Sequence, residues 1–485
     1  MKKVILFKNE GVWKACDIQE ETNMYEVHNL TTEIKSNFWV FTLQVSDFIN
    51  EYGKDNVRKV LPEIIDIKCF IKQFWQKSNP LENQINWNFF KFLKENDYLN
   101  KEFRIQDSLE EYLKSIRQLI EDTFLENKDE FERFKQIELP INRLIYAREK
   151  KGIRVNESIY PELIESTEKE LYQKKTKLQL DYRVFSPENK RSQINILKEN
   201  GISDIKGSLL SMFKSYSSSN ELFKQIMDVI RLRNDLNALL YLTSAKGGKE
   251  RVFPNYQGFG SITSRITLRE PALQNIRKKI RNVLVPENGK VFFYVDFSQF
   301  EAGILASLSE DKKLRTLYDS DIYDDLNKNV WGGLKTRDDA KILFYKFMYG
   351  LELKEVKERE YFDRFKKLLD FKSKTEQDVL DKGKVSSSFG NSRILNKVDK
   401  TIALSHKIQS EASLIFKKGL LKVKNQFPEV DFVLPMHDAA LYEIDERHPE
   451  IEIMKEKVRL CFQDTFAEFC PGINHSVKIK DFYND

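Results

Sequence analysis

The sequence predicts an α+β protein of several units, and three observations carry that prediction. The chain opens on short aromatic and β-branched runs, VILF, VWKAC, MYEV and FWVFTLQV, which read as strands. Its middle holds long polar stretches with helical spacing, Glu162–Leu180 and Asn220–Leu240. Its C-terminal half mixes both kinds. VFFYV reads as a buried strand, FSQFEAGILASLSED as a helix, and FVLPMHDAALYEI as two apolar runs about a His-Asp junction.

Composition sets the bounds. A chain of 485 residues is long enough for two to four domains with proper cores. With 32% charged and 41% hydrophobic residues it reads as soluble and globular. No apolar run approaches the roughly 20 residues that span a bilayer, so no membrane partner is expected. The start, MKKVILFKNEG, has too short an apolar core for a secretory signal. Cys16, Cys69, Cys461 and Cys470 lack metal-ligand spacing and read as free thiols of a reducing cytoplasm. A net charge of +5 permits a nucleic-acid partner without demanding one.

In chain order, residues 1–133 form a first unit, with strands in its first half. From about Pro62 to Phe134 the pattern turns helical, as in IKCFIKQFW and LEEYLKSIRQLIEDTFL. Residues 134–252 form a helical second unit. Within it Ser186 is placed to cap a helix with Pro187 at its first position. Lys190, Arg191 and Lys198 fall near the exposed face of that helix. Residues 253–485 form the third unit.

The third unit carries the chemistry. Val291–Val295 ends on Asp296, and Ser298 can cap the helix that follows through Phe300, Ile304, Leu305 and Leu308. An unpaired buried carboxylate is costly, so an Asp at a strand mouth suits a metal ion. Further on, Arg337, Lys341, Tyr345 and Tyr349 are each four apart and form one slanting helical stripe. Two cations and two rings on one stripe suit a nucleoside triphosphate, while Leu343, Phe344 and Phe347 turn to the core. Two apolar runs flank His437–Asp438 and place a second carboxylate at a strand junction, where a lone His-Asp is more often structural. From Lys382 to Gln426 ten Lys or Arg stand against Asp399 and Glu411, a basic block suited to an electrostatic track for nucleic acid.

These motifs resemble those of family A DNA polymerases, the DNA polymerase I family. DFSQFE followed by LASLSED resembles the first palm motif, where DYSQIE is usual. GSITSRITLREPALQNI resembles GRLSSSxPNLQNIP, with Arg265, Gln274 and Asn275 at the matching positions. TRDDAKILFYKFMYG resembles the fingers motif, GKVSSSFGNSRIL resembles GYVETLFGRRR, and FVLPMHDAALYEI resembles the VHDE motif. Gln409 matches the Gln of PVQGTAAD. The likeness runs from about Ile137 to the C-terminus.

The resemblance implies a right-hand fold of palm, fingers and thumb beside a small N-terminal α/β domain. Residues 134–252 would be the thumb and 253–485 the palm and fingers, with fingers at about 312–400. It implies template-directed addition of dNTPs to a primer 3′ end, in gap filling, repair or replication of a mobile element. Asp296 and Asp438 would be catalytic and hold two Mg²⁺ ions, with Mn²⁺ able to substitute. Arg337, Lys341, Tyr345, Tyr349, Glu301, Gln299 and Tyr323 would face the dNTP, with Glu301 as the steric gate. Arg265, Gln274, Asn275, Arg277, Arg281, Arg393, Gln409 and His437 would face primer-template DNA. The place of residues 1–133 usually holds a 3′–5′ exonuclease, which needs an Asp-x-Glu on a strand. None occurs here, so a degenerate or replaced domain without proofreading is expected, and no 5′-nuclease segment precedes it.

The sequence also departs from the family. Ala439 replaces the acid after the His-Asp, Tyr323 a phosphate-binding His, Ser405 an Asn and Lys346 a Gly. These departures keep a second class open, a polymerase-shaped DNA-binding protein with weak or no catalysis. An RNA-synthesising relative is the third, against which Glu301 argues.

Overall fold

The computed structural model describes residues 2–18, 24–54, 60–76, 89–105, 108–202, 209–217, 220–243, 250–350, 353, 355–395, 402–436, 438–474 and 477–484. The N-terminal unit is built on a five-stranded sheet. Lys3–Asn9 lies at its centre, antiparallel to Val12–Asp17, which in turn pairs with Tyr25–Val27. On its other side Lys3–Asn9 runs parallel to Trp39–Thr42, which runs parallel to Glu63–Asp66. That last strand replaces the helix expected from Pro62. EIID is four residues long, too short for its period to decide, and parallel pairing with a distant strand settles it.

The sheet is buried on both faces. Ile5, Phe41 and Ile65 pack with Phe70, Phe74 and Phe134 on one face. Val4, Leu6, Val40 and Ile64 join the core that continues into the C-terminal unit on the other. Residue 134 is no linker: helix Lys128–Arg133, the π-turn Phe134–Glu138 and helix Leu139–Lys151 follow without a break. Within that run Arg133, wholly buried, donates to Glu138, and Lys417 donates to the same carboxylate from its other side, 2.6 Å away.

The helical second unit pairs Tyr160–Tyr182 with Glu221–Thr243 through Leu171, Leu178, Ile226, Val229 and Leu236. The expected cap moves by three residues. Ser186 and Pro187 open a turn, and Asn189 caps Lys190–Glu199 by accepting from Arg191 N and Ser192 N. Lys190, Arg191 and Lys198 are exposed.

The third unit rests on a four-stranded antiparallel sheet in the order Asp431–Met436, Ala439–Asp445, Lys290–Phe297, Val477–Lys480. Helices Ala403–Gln426 and Ile451–Phe469 bury aromatic and aliphatic side chains against it, Phe416, Phe462 and Phe466 among them. Each such side chain contributes about 1.5–3 kcal/mol of burial. Phe297 and Phe300 stack with ring centroids 3.9 Å apart, which clamps the strand to the helix Phe300–Ser309 that follows it. Helices between Lys312 and Lys382 pack around Phe344, Phe347, Phe362 and Leu368, which continue the same core. Among the described residues no helix is long and apolar enough to cross a membrane. All four cysteines are free and buried.

Candidate active site

Asp296 sits near the end of Lys290–Phe297, and sheet register fixes its neighbours. Ala439 lies directly opposite on one side and Lys478 on the other. Residues opposite each other in an antiparallel pair share a face. Asp438 follows Met436 across the hairpin, and its carbonyl accepts from Phe297 N at 3.3 Å. Both carboxylates line one cavity, and the charge of Asp438 acts on Asp296. Asp296 is held above the usual carboxylate range by burial and by the charge of Asp438, against the pull of Lys480 and Lys341. Lys480 Nζ stands 2.8 Å from Asp296 Oδ2. His437 lies outside the described residues.

Both carboxylates face a cavity of about 700 Å³ that also receives Gln299, Tyr323, Arg337, Lys341 and Tyr345. The helix Arg337–Met348 delivers three of these from one face. It starts cleanly because Thr336 and Asp339 form a reciprocal capping box. Leu343, Phe344 and Phe347 are buried on its other face. Asp321 accepts from Arg337 Nε at 2.9 Å while its other oxygen caps helix Ile322–Trp331, accepting from Tyr323 N at 2.9 Å. Arg337 also lies 4.9 Å from the Tyr323 ring centroid. Tyr323 and Tyr345 line the same cavity, and burial raises the pKa of both. Tyr349 falls just past the last helical residue, where its hydroxyl accepts from Gln409 Nε2.

Ser298 does not cap the helix after the strand. Gln299 does so in a left-handed conformation, φ 50°, with no side-chain cap bond. Its Oε1 instead accepts from Ile322 N at 3.2 Å, so Gln299 ties that helix to helix Ile322–Trp331. Glu301 is 3% exposed and does not line the large cavity. Arg265 Nη2 donates to Glu301 Oε1 and stands 3.7 Å from Asp438 Oδ1. Glu301 Oε2 is buried with no hydrogen-bond partner among the described residues. Burial, with the charge of Asp438, pushes the Glu301 carboxyl up to about 7, against Arg265.

A second cavity of about 140 Å³ on the other side of Asp438 is lined by Arg265, Gln274, Ser413 and Pro435. Gln274 Oε1 accepts from Leu268 N at 2.9 Å. Asn275 points elsewhere, into a hollow shared with Asp235 and Tyr241 of the helical unit.

Several expected DNA contacts are engaged inside the protein. Arg281 is buried, donates to Phe482 O at 2.9 Å and packs on Tyr294 and Phe482. Arg393 is buried against the carbonyls of Lys72 and Ile262. Neither is open to a phosphate. Arg277 donates to Asp235 Oδ2 at 2.7 Å. The basic block from Lys382 is not one strip either. Lys417 is buried, Lys382 and Lys422 pair with acids, and 397 and 400 lie outside the described residues. Ser405 is buried and donates to Ile402 O, and Lys346 is half-buried on the fingers helix.

Sequence reasoning missed Lys478, Lys480 and Asp321. The alternation VKIK, two cations at period two on an apolar strand, is the signal that marks the first two.

Among the described residues no group of three or more His, Cys, Asp and Glu is gathered for a metal ion. The donor set is the carboxylate pair opening on a polar cavity. That set fits Mg²⁺, which binds through one or two carboxylates, waters and substrate phosphates.

Residues 164–480 match the sequence pattern of DNA polymerase family A. The chain is 26% identical to DNA polymerase I of Caldicellulosiruptor bescii over 408 residues, 72% of this chain and 47% of that protein. It is 24% identical to DNA polymerase I of Helicobacter pylori over 364 residues, 66% of this chain and 40% of that one. It thus spans less than half the length of either relative. Its fold superposes on the POL domain of Pol1 from M. smegmatis, solved in complex with DNA primer-template and dNTP. The TM-score is 0.73 at 16% identity, over 99% of this chain and 95% of that one.

Proposed function

The chain belongs to DNA polymerase family A, and from that premise we propose that it is a template-directed DNA polymerase without proofreading. It would act on primer-template DNA and dNTPs in the cytoplasm. The observation that carries the reading is one cavity shared by two carboxylates, Asp296 and Asp438, and by the cations and ring of the fingers helix, Arg337, Lys341 and Tyr345.

In this reading Asp296 and Asp438 hold two Mg²⁺ ions, whose chemistry when bound is to lower the pKa of the primer hydroxyl and to steady the leaving pyrophosphate. Arg337 and Lys341 bind the triphosphate, with Arg337 already aimed by Asp321 and the Tyr323 ring. Tyr345 and Tyr349 bracket the sugar and base. Glu301, braced by Arg265, closes the space beside the sugar's C2′ edge. Gln274 and Arg265 line the hollow behind Asp438, where minor-groove acceptors of the last base pair would lie. Rotation of the fingers lobe onto a correct pair excludes water and completes the site.

The N-terminal unit fits a degenerate or replaced exonuclease-like domain. Its described sheet acids have structural duties: Asp17 pairs with Lys2 at 3.0 Å, Glu26 with Lys14 at 2.9 Å and Glu63 with Arg143 at 2.6 Å, and Asp66 caps helix Ile67–Phe74. Extension of a labelled primer on gapped, nicked and single-stranded templates, with Mg²⁺ and dNTPs, tests the function. No extension on any of them would leave a polymerase-shaped DNA-binding protein.

A further inference from the structure

Two lysines stand on the face of the sheet that bears Asp296. Lys478 lies directly across from it on Val477–Lys480, and Lys480 lies two residues on, on the same face. Both line the large cavity, and Lys480 Nζ holds Asp296 Oδ2 at 2.8 Å. On the other flank the opposite residue is Ala439, which offers no side-chain oxygen. The remaining charges of the cavity are Asp438, Asp319, Asp321, Arg337 and Lys341, and Asp321 is already engaged by Arg337. Cations therefore match the carboxylates before any ion arrives.

We propose that Lys480 is a built-in competitor for the metal, holding Asp296 until substrate draws the ammonium away. The inference rests on the reading that Asp296 and Asp438 bind the divalent ions. An ammonium and a divalent cation cannot both take Asp296 Oδ2. Each therefore weakens the other by the same factor, as linkage requires. A nucleoside triphosphate supplies the release, since its phosphate oxygens are strong acceptors for an ammonium group. Lys478 and Lys480 turn to those oxygens, and Asp296 is freed as the metal–nucleotide complex enters. The free protein binds divalent ions weakly, and nucleotide and metal load together.

Mn²⁺ titration of the full chain, followed by electron paramagnetic resonance without DNA or nucleotide, tests this apart from activity. Lys480→Met, and Lys480→Gln as a second variant, should each tighten Mn²⁺ binding by roughly tenfold. Lys457→Met, exposed on the helix behind the sheet, should bind as the wild type does. Unchanged or weaker binding in both Lys480 variants overturns the proposal. Asp296→Asn separates the two layers. If it abolishes Mn²⁺ binding while the Lys480 variants match the wild type, only the Lys480 inference fails. If it binds as the wild type does, the metal site itself is misassigned and both readings fall.

Discussion

Arg265 ties Glu301 to Asp438: its Nη2 donates to Glu301 Oε1 and stands 3.7 Å from Asp438 Oδ1. The residue proposed to reject ribose and a residue proposed to hold metal thus share one guanidinium. Glu301→Ala should raise rNTP use relative to dNTP use, because the space beside C2′ opens. It should also slow dNTP addition, because Arg265, left without its partner, turns to Asp438. Single-nucleotide kcat/KM values for rNTP and dNTP check both effects. Equal use of rNTP and dNTP by the wild type would favour an RNA-synthesising enzyme instead.

Asp296→Ala and Asp438→Ala should each abolish primer extension while leaving primer-template affinity largely intact. Each substitution removes a proposed metal ligand and leaves Arg265 and Gln274 in place. Extension assays paired with fluorescence anisotropy on the same variants make the comparison. Near wild-type extension by both would remove the two-metal assignment.

A primer with a mismatched 3′ end, incubated with the protein and Mg²⁺ but no dNTPs, should keep its length. Asp17 and Asp66, the acids at the ends of their strands, are spent on a lysine and a helix cap. Shortening that persisted in Asp296→Ala would reveal a nuclease centre in the N-terminal unit.

Tyr345 lies between Lys341 and Tyr349, beside the expected 3′ edge of the sugar. A dideoxynucleotide leaves one phosphate oxygen without its hydroxyl, a loss of about 1–3 kcal/mol in a closed site. The tyrosine hydroxyl can replace it, so Tyr345→Phe should lower dideoxynucleotide use roughly ten- to a hundredfold against dNTP use. The structure adds a second arm, because Tyr323 lines the same cavity as Tyr345. Tyr323→Phe keeps the Tyr345 hydroxyl and should leave dideoxynucleotide use near the wild-type level. Competition between ddNTP and dNTP on the three proteins decides whether Tyr345 faces the sugar.

Glu149 titrates at the join between the N-terminal and C-terminal units. Burial pushes its carboxyl up to about 7, against hydrogen bonds from Ser46 Oγ and Tyr256 N. An acid whose folded pKa is raised binds its proton more tightly in the native state, so its contribution to stability is full below the unfolded pKa. That contribution is lost as pH rises through about 7. Wild-type Tm should therefore fall between about pH 5 and 8 relative to Glu149→Gln, which cannot ionise. Parallel melting curves of the two proteins across that range would show no divergence if Glu149 were ordinary.

The strand that carries Asp296 and the stripe on the fingers helix were legible because each is local. An unbroken apolar run ends on an acid, and four chemically matched side chains recur at one helical period. Asp438 was legible because apolar runs flank it. Arg281 and Arg393 were misread because a basic residue's destination depends on acceptors far along the chain, Phe482 O for one and Ile262 O for the other. Gln299 took the cap from Ser298 through a backbone conformation that no side-chain preference announces. Lys480 was missed for a third reason, since VKIK marks a face of its strand but not what that face meets. Only the pairing of two strands nearly two hundred residues apart brings it to Asp296.

The helical run Lys128–Lys151 welds the N-terminal unit to the rest of the chain, with Arg133, Glu138 and Lys417 as its buried rivets. Arg133 also reaches Ser264, the residue before Arg265, at 2.8 Å, and Phe389 O at 2.6 Å. Mutation can therefore erase any chemistry that such a unit once performed, one side chain at a time. Deletion cannot remove the unit so gently. Excising it would take Arg133 from a sealed ion cluster, a loss of about 3–5 kcal/mol for a broken buried pair. It would also bare the sheet face that completes the C-terminal core. Selection would then retain the unit for its architecture, whatever chemistry of its own it performs.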